Sequence, residues 1–264
     1  MKYIGVRGHR GAGKNSISFL LGRAIDCLIS NNEDRFHQHY NSWVDDIMTN
    51  EHVIHEANLQ YVYFDAFSDT LKMFIELMLG CNREYLYNDY YKDHVVVNIR
   101  DFSYKVYDAI PENIRVLSHE ELYDIMPKES HPTTITKNIY ITLRDFILYF
   151  GMDVMQRYFG LNVWVKSLKS NESTFNSLFE DDDSYKIYTD VKTPSEVTYI
   201  KDKEGVIIKV VRPSHKKSDK GFDKLTNDNR VDYTIKVDGN LYELKDEIFN
   251  IAKQIIYKHD QSKI

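Results

Sequence analysis

A glycine-rich segment near the N-terminus constrains the fold more than any other feature. Residues 8–14 read GHRGAGK, which matches the pattern G-x-x-x-x-G-K. The segment follows a β-prone run at residues 3–6 and precedes apolar residues at helical spacing over 17–28. In this context the backbone N–H groups of such a loop surround a phosphate at the positive end of a helix. The sequence therefore predicts a nucleotide site, with a structural glycine turn as the alternative.

Lys14 and the two residues after it determine how phosphate and Mg²⁺ could be bound. Lys14 is expected to reach the β- and γ-phosphates as a point charge. The next position usually carries Ser or Thr for Mg²⁺, but here Asn15 is followed by Ser16. Asn15 can offer a carbonyl oxygen, or Mg²⁺ can be held through water and phosphate. The guanine-reading pattern N-K-x-D is absent, which argues against a GTPase.

Charge and composition exclude several other classes of protein. The chain has 264 residues, with 34 Lys and Arg against 40 Asp and Glu, so its net charge is −6. This balance argues against a partner that is a nucleic-acid polymer. No apolar run approaches the roughly 18–20 residues that cross a membrane, and the N-terminal sequence does not resemble a signal peptide. Cys27 and Cys81 are too few for a disulfide framework, which fits a reducing cytoplasm.

Predicted strands alternate with predicted helices along most of the chain. Strands are expected at residues 60–64, 184–191, 206–211 and 231–235, and helices at 68–79, 143–159, from 194 and from 241. The alternation predicts an α/β fold with a mostly parallel sheet and helices on both faces.

Local patterns predict further details. Phe36, Tyr40, Trp43 and Ile47 form one helical stripe, and Ser118 with Glu121 forms a capping box. Two segments are expected to be polar loops: the acidic run 180–183, and residues 214–230, a solvated loop or a lid with Lys216, Lys217, Lys220 and Lys224.

A group of histidines invites a metal interpretation. His37, His39, His52 and His55 lie close together in the sequence, but residues at i and i+2 do not share a helix face. No cysteine accompanies them, so metal binding is the weaker hypothesis.

Five segments, taken in order along the chain, carry motifs similar to those of a single P-loop family. The glycine-rich loop continues as GKNS, similar to the family's G-K-D-[TS], and residues 67–72 (FSDTLK) resemble F-A-D-P-[LI]-K. Residues 142–165 are similar to T-x-R-x-x-L-x-x-x-G-T-[DE]-V…W-V. Residues 190–196 (DVKTPSE) resemble D-x-R-x-x-x-E, and residues 237–244 (VDGNLYEL) resemble N-D-G-S-L-E-E-L.

Together these five segments resemble the bacteriophage deoxynucleoside monophosphate kinases. The resemblance implies a nucleoside monophosphate kinase-like fold and transfer of the ATP γ-phosphoryl group to a deoxynucleoside monophosphate (dNMP). It implies ATP and Mg²⁺ as cofactors, a homodimer, and the cytoplasm of an infected bacterium. We then expect one kinase domain over residues 1–264. Helical insertions at about 30–58 and 93–137, which the resemblance does not cover, are expected to form a substrate-side subdomain.

The resemblance and the residue patterns together give four sets of site residues. The catalytic candidates are Lys14, Arg144, Arg157, Asp190 and Lys192. The ATP-binding candidates are Gly8, Arg10, Gly11, Ala12, Gly13, Lys14, Asn15, Ser16 and Arg212. The substrate-binding candidates are Asp69, Lys72, Arg144, Gly151, Arg157, Asp190 and Glu196. The candidate Mg²⁺ ligands are Asn15, Ser16 and Asp190.

Four charged candidates from the middle of the chain each have a simpler explanation. Lys72 can be a solvated helix lysine, and Asp69 can cap that helix. Arg144 falls in a first helical turn, where a cation is unfavourable unless an anion lies nearby, although it can also be a surface arginine. Arg157 can pair with Asp153, four residues earlier.

The remaining candidates are read in the same way. Gly151 in mid-helix indicates a close backbone approach. Asp190 ends a predicted strand, where ligands bind in open α/β sheets. Lys192 replaces the family's arginine, so a bidentate fork becomes a point charge. Thr193 and Glu196 form a capping box, which is enough to explain Glu196.

Two other functions remain open from the sequence. One is a different P-loop small-molecule kinase, such as one that resembles dephospho-coenzyme A kinase. The other is a nucleotide-binding regulator that has lost catalysis, which Asn15 and Lys192 keep possible.

Overall fold

The computed structural model describes six stretches of the chain: residues 1–49, 58–125, 138–160, 162–168, 184–213 and 229–261. The chain divides into two compact units. Unit 1 comprises residues 1–67 and 169–264, and unit 2 comprises residues 68–168.

The elements are numbered in chain order. The strands are β1 Lys2–Arg7, β2 Val62–Asp65, β3 Val95–Asn98, β4 Tyr104–Val106, β5 Val116–Leu117, β6 Tyr140–Thr142, β7 Tyr185–Tyr188, β8 Val206–Val211 and β9 Tyr233–Lys236. The helices are α1 Lys14–Ile29, α2 Glu33–Thr49, α3 Asp69–Leu79, α4 Arg83–Tyr87, α5 Asp89–His94, α6 His119–Ile125, α7 Leu143–Leu148, α8 Arg157–Phe159, α9 Pro194–Lys201 and α10 Lys245–Gln261. A π-helix spans Tyr149–Gln156, and a 3-10 helix spans Leu241–Leu244.

The sheet of unit 1 is parallel throughout. Its order is β2-β7-β1-β8-β9, and every neighbouring pair is parallel. Ile4 and Val6 of β1 face a buried core that they share with α1 and α10. On the other face, a Cβ added at Gly5 would lie 2.5 Å from Ile200 of α9. Helices therefore cover both faces, and the predicted α/β fold with a mostly parallel sheet is confirmed.

The first predicted insertion contributes its helix to unit 1. Phe36, Tyr40 and Trp43 of α2 are buried, as their helical spacing predicts. The Tyr40 hydroxyl donates a 2.6 Å hydrogen bond to the Leu241 carbonyl oxygen, which ties α2 to the C-terminal part of the chain. The described part of the insertion at 30–58 therefore packs in the core of unit 1. Its predicted place in a substrate-side subdomain stays a prediction.

Unit 2 has a small mixed sheet of its own. Its order is β4-β3-β6-β5, with β3 antiparallel to β4 and to β6, and β5 parallel to β6. The insertion at 93–137 supplies three of these strands besides α6, whereas the sequence analysis expects a helical insertion and predicts no strand there. Strands of two to four residues are too short to show a period of two in the sequence.

Three predicted helix caps are confirmed, whereas Asp69 does not cap α3, because Ser68 is at the N-cap position and Asp69 is the first residue of the helix. Ser118 and Glu121 form the predicted box, since the Glu121 carboxylate accepts from Ser118 N at 2.9 Å and Ser118 Oγ accepts from Glu121 N at 3.2 Å. Thr142 Oγ1 accepts from Asp145 N at 3.1 Å at the start of α7. Thr193 and Glu196 form the predicted box at the start of α9.

Several element boundaries differ from the prediction, and two of these differences affect the candidate site. The single helix expected over 143–159 is α7, then the π-helix, then α8. The strand expected over 184–191 ends at Tyr188, because Thr189 and Asp190 leave the sheet in a turn.

Some expectations fall outside the described residues, namely those on His52, His55, residues 180–183 and the lysines of 214–228. Within the described stretches, no group of three or more His, Cys, Asp or Glu could hold a metal ion. The helices of these stretches include none with the length and apolar character to cross a membrane.

Candidate functional site

The glycine-rich loop joins β1 to the N-terminus of α1. Gly11 and Gly13 adopt φ values of 75° and 91°, in the left-handed region that favours glycine. A Cβ added at Gly8 would lie 2.5 Å from the Val210 carbonyl oxygen of β8, so only glycine fits there without a shift of the backbone. The sequence thus fixes the loop conformation through its glycines.

The charged side chains of the loop lie around its own carbonyl groups. Lys14 Nζ donates a 3.0 Å hydrogen bond to the His9 carbonyl oxygen, which also accepts from Ala12 N at 3.1 Å. Arg212 follows β8, and its Nη1 lies 3.5 Å from the Gly11 carbonyl oxygen. Arg10 and Asn15 are exposed, and Ser16 is half-buried.

Asp190 and Lys192 lie at the neighbouring strand end. Val191 N donates to the Val6 carbonyl oxygen at 3.1 Å, which attaches the segment after β7 to the end of β1. Asp190 Oδ1 accepts from Phe67 N at 2.8 Å, and Oδ2 accepts from Lys192 Nζ at 3.2 Å. The ends of β7, β1 and β8 thus bring Asp190, Lys192 and Arg212 to the same edge of the sheet as the loop.

Glu196 holds the backbone that carries this pair. One of its carboxylate oxygens accepts from Lys192 N at 2.6 Å and from Thr193 N at 2.9 Å. Burial, together with the charge of Asp190, raises the pKa of Glu196 to about 7, although the two N–H donors act against the shift. Its carboxyl group is therefore poised to titrate near neutral pH.

In unit 2, Asp69 and Lys72 lie on the first turn of α3 and contact Tyr87. Asp69 Oδ1 accepts from Lys72 Nζ at 3.2 Å and from the Tyr87 hydroxyl at 3.1 Å. Lys72 Nζ lies 4.1 Å from the centroid of the Tyr87 ring. Burial, then the Asp69 charge, raises the pKa of Tyr87 to about 12, so its hydroxyl remains a donor.

Arg144 meets two carboxylates of α5. Its Nε and Nη2 donate to the two oxygens of Asp93, the second at 3.0 Å, and Nη2 also donates to Asp89 Oδ1 at 3.2 Å. Burial lowers the pKa of Arg144, but the hydrogen bonds and negative charges of Asp93 and Asp89 together outweigh burial and raise the pKa overall. An anionic partner therefore does explain this cation in a first helical turn, and in this structure the partner is a pair of carboxylates.

Gly151 lies in the π-helix. A Cβ there would lie 2.5 Å from Leu71 Cδ2, and the Gly151 carbonyl oxygen accepts from Trp164 Nε1 at 3.3 Å. The predicted close approach is thus to a side chain of α3. Arg157, at the start of α8, is exposed.

A family model for deoxynucleotide monophosphate kinase matches residues 81–248. This is more than half of the chain. The chain belongs to the deoxynucleotide monophosphate kinase family. Among curated proteins, none matches it. The match supports a phosphotransferase that acts on a deoxynucleotide monophosphate, and it includes Arg144, Asp190 and Glu196 but starts after the glycine-rich loop.

The kinase has one ion pair near the site that the sequence analysis missed. Lys186 of β7 is buried, and its Nζ lies 2.8 Å from Asp65 Oδ2 at the end of β2. β2 and β7 are neighbours, so this pair lies at the same sheet edge as Asp190. A signal did exist, since Asp65 directly follows the strand predicted over residues 60–64.

The predicted site residues of the kinase fall in both units. Unit 1 brings together the loop residues, Asp190, Lys192, Glu196 and Arg212. Unit 2 contains Asp69, Lys72, Arg144, Gly151 and Arg157. Their roles in binding and catalysis stay predictions.

Proposed function

We propose that this kinase transfers the γ-phosphoryl group of ATP to the 5′-phosphate of a dNMP, giving a deoxynucleoside diphosphate and ADP. The family match supports the acceptor class. The observation that carries ATP as donor is the glycine-rich loop between β1 and α1, with Lys14 as the first residue of the helix. Such a loop offers backbone N–H groups and a positive helix end to an anion.

Donor binding is proposed to use the loop and the cations beside it. The backbone of Gly8, Gly11, Ala12 and Gly13 faces the phosphates, and Lys14 exchanges the His9 carbonyl for a phosphate oxygen. Arg10 and Arg212 neutralise further charge. Support comes from the contact between Arg212 and the loop carbonyl of Gly11, which keeps that guanidinium at the loop.

The residues near the loop suit Mg²⁺, because this ion needs few protein ligands. Asn15, Ser16 and Asp190 offer the oxygen atoms that Mg²⁺ prefers, and Mg²⁺ commonly keeps one or two such ligands besides phosphate and water. Among the described residues, no group of three or more His, Cys, Asp or Glu could hold a metal ion. When bound, Mg²⁺ neutralises negative charge on the donor phosphates.

Acceptor binding is proposed to use Lys72, Arg144, Arg157 and Lys192 as cations. Asp69, Gly151 and Glu196 shape and position the acceptor residues, and Asp190 contacts metal or substrate. Phosphoryl transfer needs in-line positioning and charge neutralisation rather than a covalent nucleophile. The acceptor phosphate oxygen attacks the γ-phosphorus, and the bond to the bridging oxygen of ADP breaks.

Three wider predictions rest on the resemblance to the phage enzymes. They are a homodimer, action in the cytoplasm of an infected bacterium, and a substrate-side role for the insertions at about 30–58 and 93–137.

A panel of acceptors tests the proposed reaction. ADP release from ATP is measured with each common dNMP, with ribonucleotides and with dephospho-coenzyme A. We expect turnover with at least one dNMP and at least a hundredfold loss in Lys14→Ala, because a phosphate-binding cation is lost. Lys253→Ala is the matched control, since Lys253 pairs with Glu33 on the surface of unit 1. Tight ATP binding without turnover on any acceptor contradicts the proposal and favours a regulator.

A further inference from the structure

Two cations of unit 2 converge on one carboxylate oxygen. Asp89 Oδ1 accepts from Lys92 Nζ at 3.1 Å and from Arg144 Nη2 at 3.2 Å. Lys92 lies on α5 and Arg144 on α7, so two separate elements direct their charges to one point. Proteins bind a phosphate oxygen in the same way, with two positive groups that donate to one anionic oxygen.

Asp93 completes the arrangement around Arg144. Its two carboxylate oxygens receive Nε and Nη2 of Arg144, which is the parallel two-bond geometry that a guanidinium uses for either a carboxylate or a phosphate. The Asp93 and Asp89 side chains are 48% and 61% exposed, whereas that of Arg144 is 19% exposed. The carboxylates therefore sit on the open side of a sheltered cation, where a soluble anion can replace them.

Lys92 is held close to Lys72 as well. Its Nζ donates to the Tyr87 carbonyl oxygen at 3.1 Å, and Lys72 Nζ lies 4.1 Å from the ring of the same tyrosine. Burial lowers the pKa of Lys92, Asp89 acts against this, and the charges of Lys72 and Arg144 lower the pKa further. Lys72, Lys92 and Arg144 are thus close enough for their charges to interact. Their present anionic partners are the carboxylates of Asp69, Asp89 and Asp93.

We infer that Lys92 is a further acceptor-phosphate residue of this kinase, and that Asp89 and Asp93 hold Lys92 and Arg144 in the place of that phosphate until the acceptor binds. The inference rests on the proposed function, in which Lys72 and Arg144 bind the acceptor. It adds one binding residue and names the internal competitor that the acceptor must displace.

Acceptor kinetics of Lys92→Met test this inference. With saturating ATP and the best dNMP, we expect the acceptor KM to rise at least tenfold, because one charge-assisted hydrogen bond is lost. The KM for ATP stays unchanged, and Lys92→Arg restores most of the acceptor affinity. Binding of the matching deoxynucleoside, which lacks the phosphate, is unchanged. Lys105→Met is the control in the same unit, since exposed Lys105 lies 5.2 Å from the Tyr107 ring.

The outcomes separate this inference from the proposed function. A wild-type enzyme that phosphorylates no dNMP overturns both. A wild-type enzyme that turns over dNMP, with an unchanged acceptor KM in folded Lys92→Met, overturns the inference alone. If Lys92→Met does not fold, Asp89→Asn decides, because Asp89 Oδ1 accepts from both Lys92 and Arg144. A fall in acceptor KM of about threefold supports an internal competitor, and an unchanged or higher KM overturns it.

Discussion

Two regions of the molecule present positive charge in different ways. One is the glycine-rich loop of unit 1, and the other is the Arg144 cluster of unit 2, which consists of Arg144, Lys92, Asp89 and Asp93. The loop relies on backbone conformation, because Gly8 fits only as glycine beside Val210 and Gly13 caps α1 with a positive φ. The Arg144 cluster relies on side chains that are already paired with carboxylates of α5. A site built from backbone is prepared before its ligand arrives, whereas a site built from paired side chains must exchange partners. Substitutions in both regions test this contrast.

Gly8→Ala tests the backbone-built site. The new Cβ would lie 2.5 Å from the Val210 carbonyl oxygen, and neither backbone segment can move without disturbing the sheet. We expect a loss of about 2–3 kcal/mol in the free energy of unfolding, and a strong rise in the KM for ATP. Denaturant unfolding and initial rates measure both.

The control for this substitution is Gly239→Ala, because an added Cβ there meets nothing within 4 Å. Equal stability of the two variants would show that the loop is not held as tightly as described.

Glu196→Gln tests whether the Glu196 carboxyl group supports the backbone around Asp190 and Lys192. The readout is how the free energy of unfolding depends on pH. The folded-state pKa of Glu196 is raised to about 7, so between pH 4.5 and 7 the folded protein binds more protons than the unfolded chain. The wild-type free energy of unfolding should therefore fall as pH rises through this window, by about 1–3 kcal/mol. Glutamine keeps a carbonyl oxygen for both N–H donors but does not titrate, so the variant should lack this part of the pH dependence.

Thermal or denaturant unfolding from pH 4.5 to 8 measures the Glu196 effect, with exposed Glu243→Gln as control. Parallel pH profiles of wild type and Glu196→Gln would mean that Glu196 is already ionised across the window.

Arg144→Lys tests the side-chain-built site. Lysine keeps the charge but loses the fork that engages both oxygens of Asp93. We expect the acceptor KM to rise about tenfold, with the KM for ATP unchanged.

The matched change in unit 2 is Arg115→Lys, because Arg115 is 84% exposed and pairs with Glu121 only at the surface. This control should change nothing measurable. If Arg144→Lys alters stability but not the acceptor KM, its ion pair is structural.

Gly151→Ala should have the smallest effect. Its Cβ would approach Leu71 Cδ2, the end of a flexible side chain rather than backbone. The helix preference of alanine offsets part of the crowding, so we expect a change below about 1 kcal/mol in the free energy of unfolding. A loss as large as that of Gly8→Ala would show that the π-helix backbone is as tightly constrained as the loop.

The contrast between the two sites also explains what the sequence could predict. The loop and the caps at Ser118, Thr142 and Thr193 depend on residues within a few positions of each other. The parallel fold follows from the alternation of strands and helices, and each of these elements has a local pattern. Such local patterns determine backbone conformation directly.

Contacts between residues far apart in the sequence were not predicted, because no local pattern indicates them. The carboxylates that pair with Arg144 lie 51 and 55 residues away, and Asp65 meets Lys186 only because β2 and β7 are neighbours. The short antiparallel strands of unit 2 depend on the same kind of distant pairing. The π-helix interrupts a sequence whose apolar spacing fits an ordinary α-helix.

The most direct test of the central claim follows the transferred group itself. ATP labelled at the γ-phosphate is incubated with Mg²⁺ and each dNMP, and the products are followed by phosphorus NMR and mass spectrometry. We expect the label to appear as the β-phosphate of a deoxynucleoside diphosphate, with one ADP formed for each. If the label remains in ATP, or appears only as free phosphate, with every dNMP, the proposed reaction is wrong.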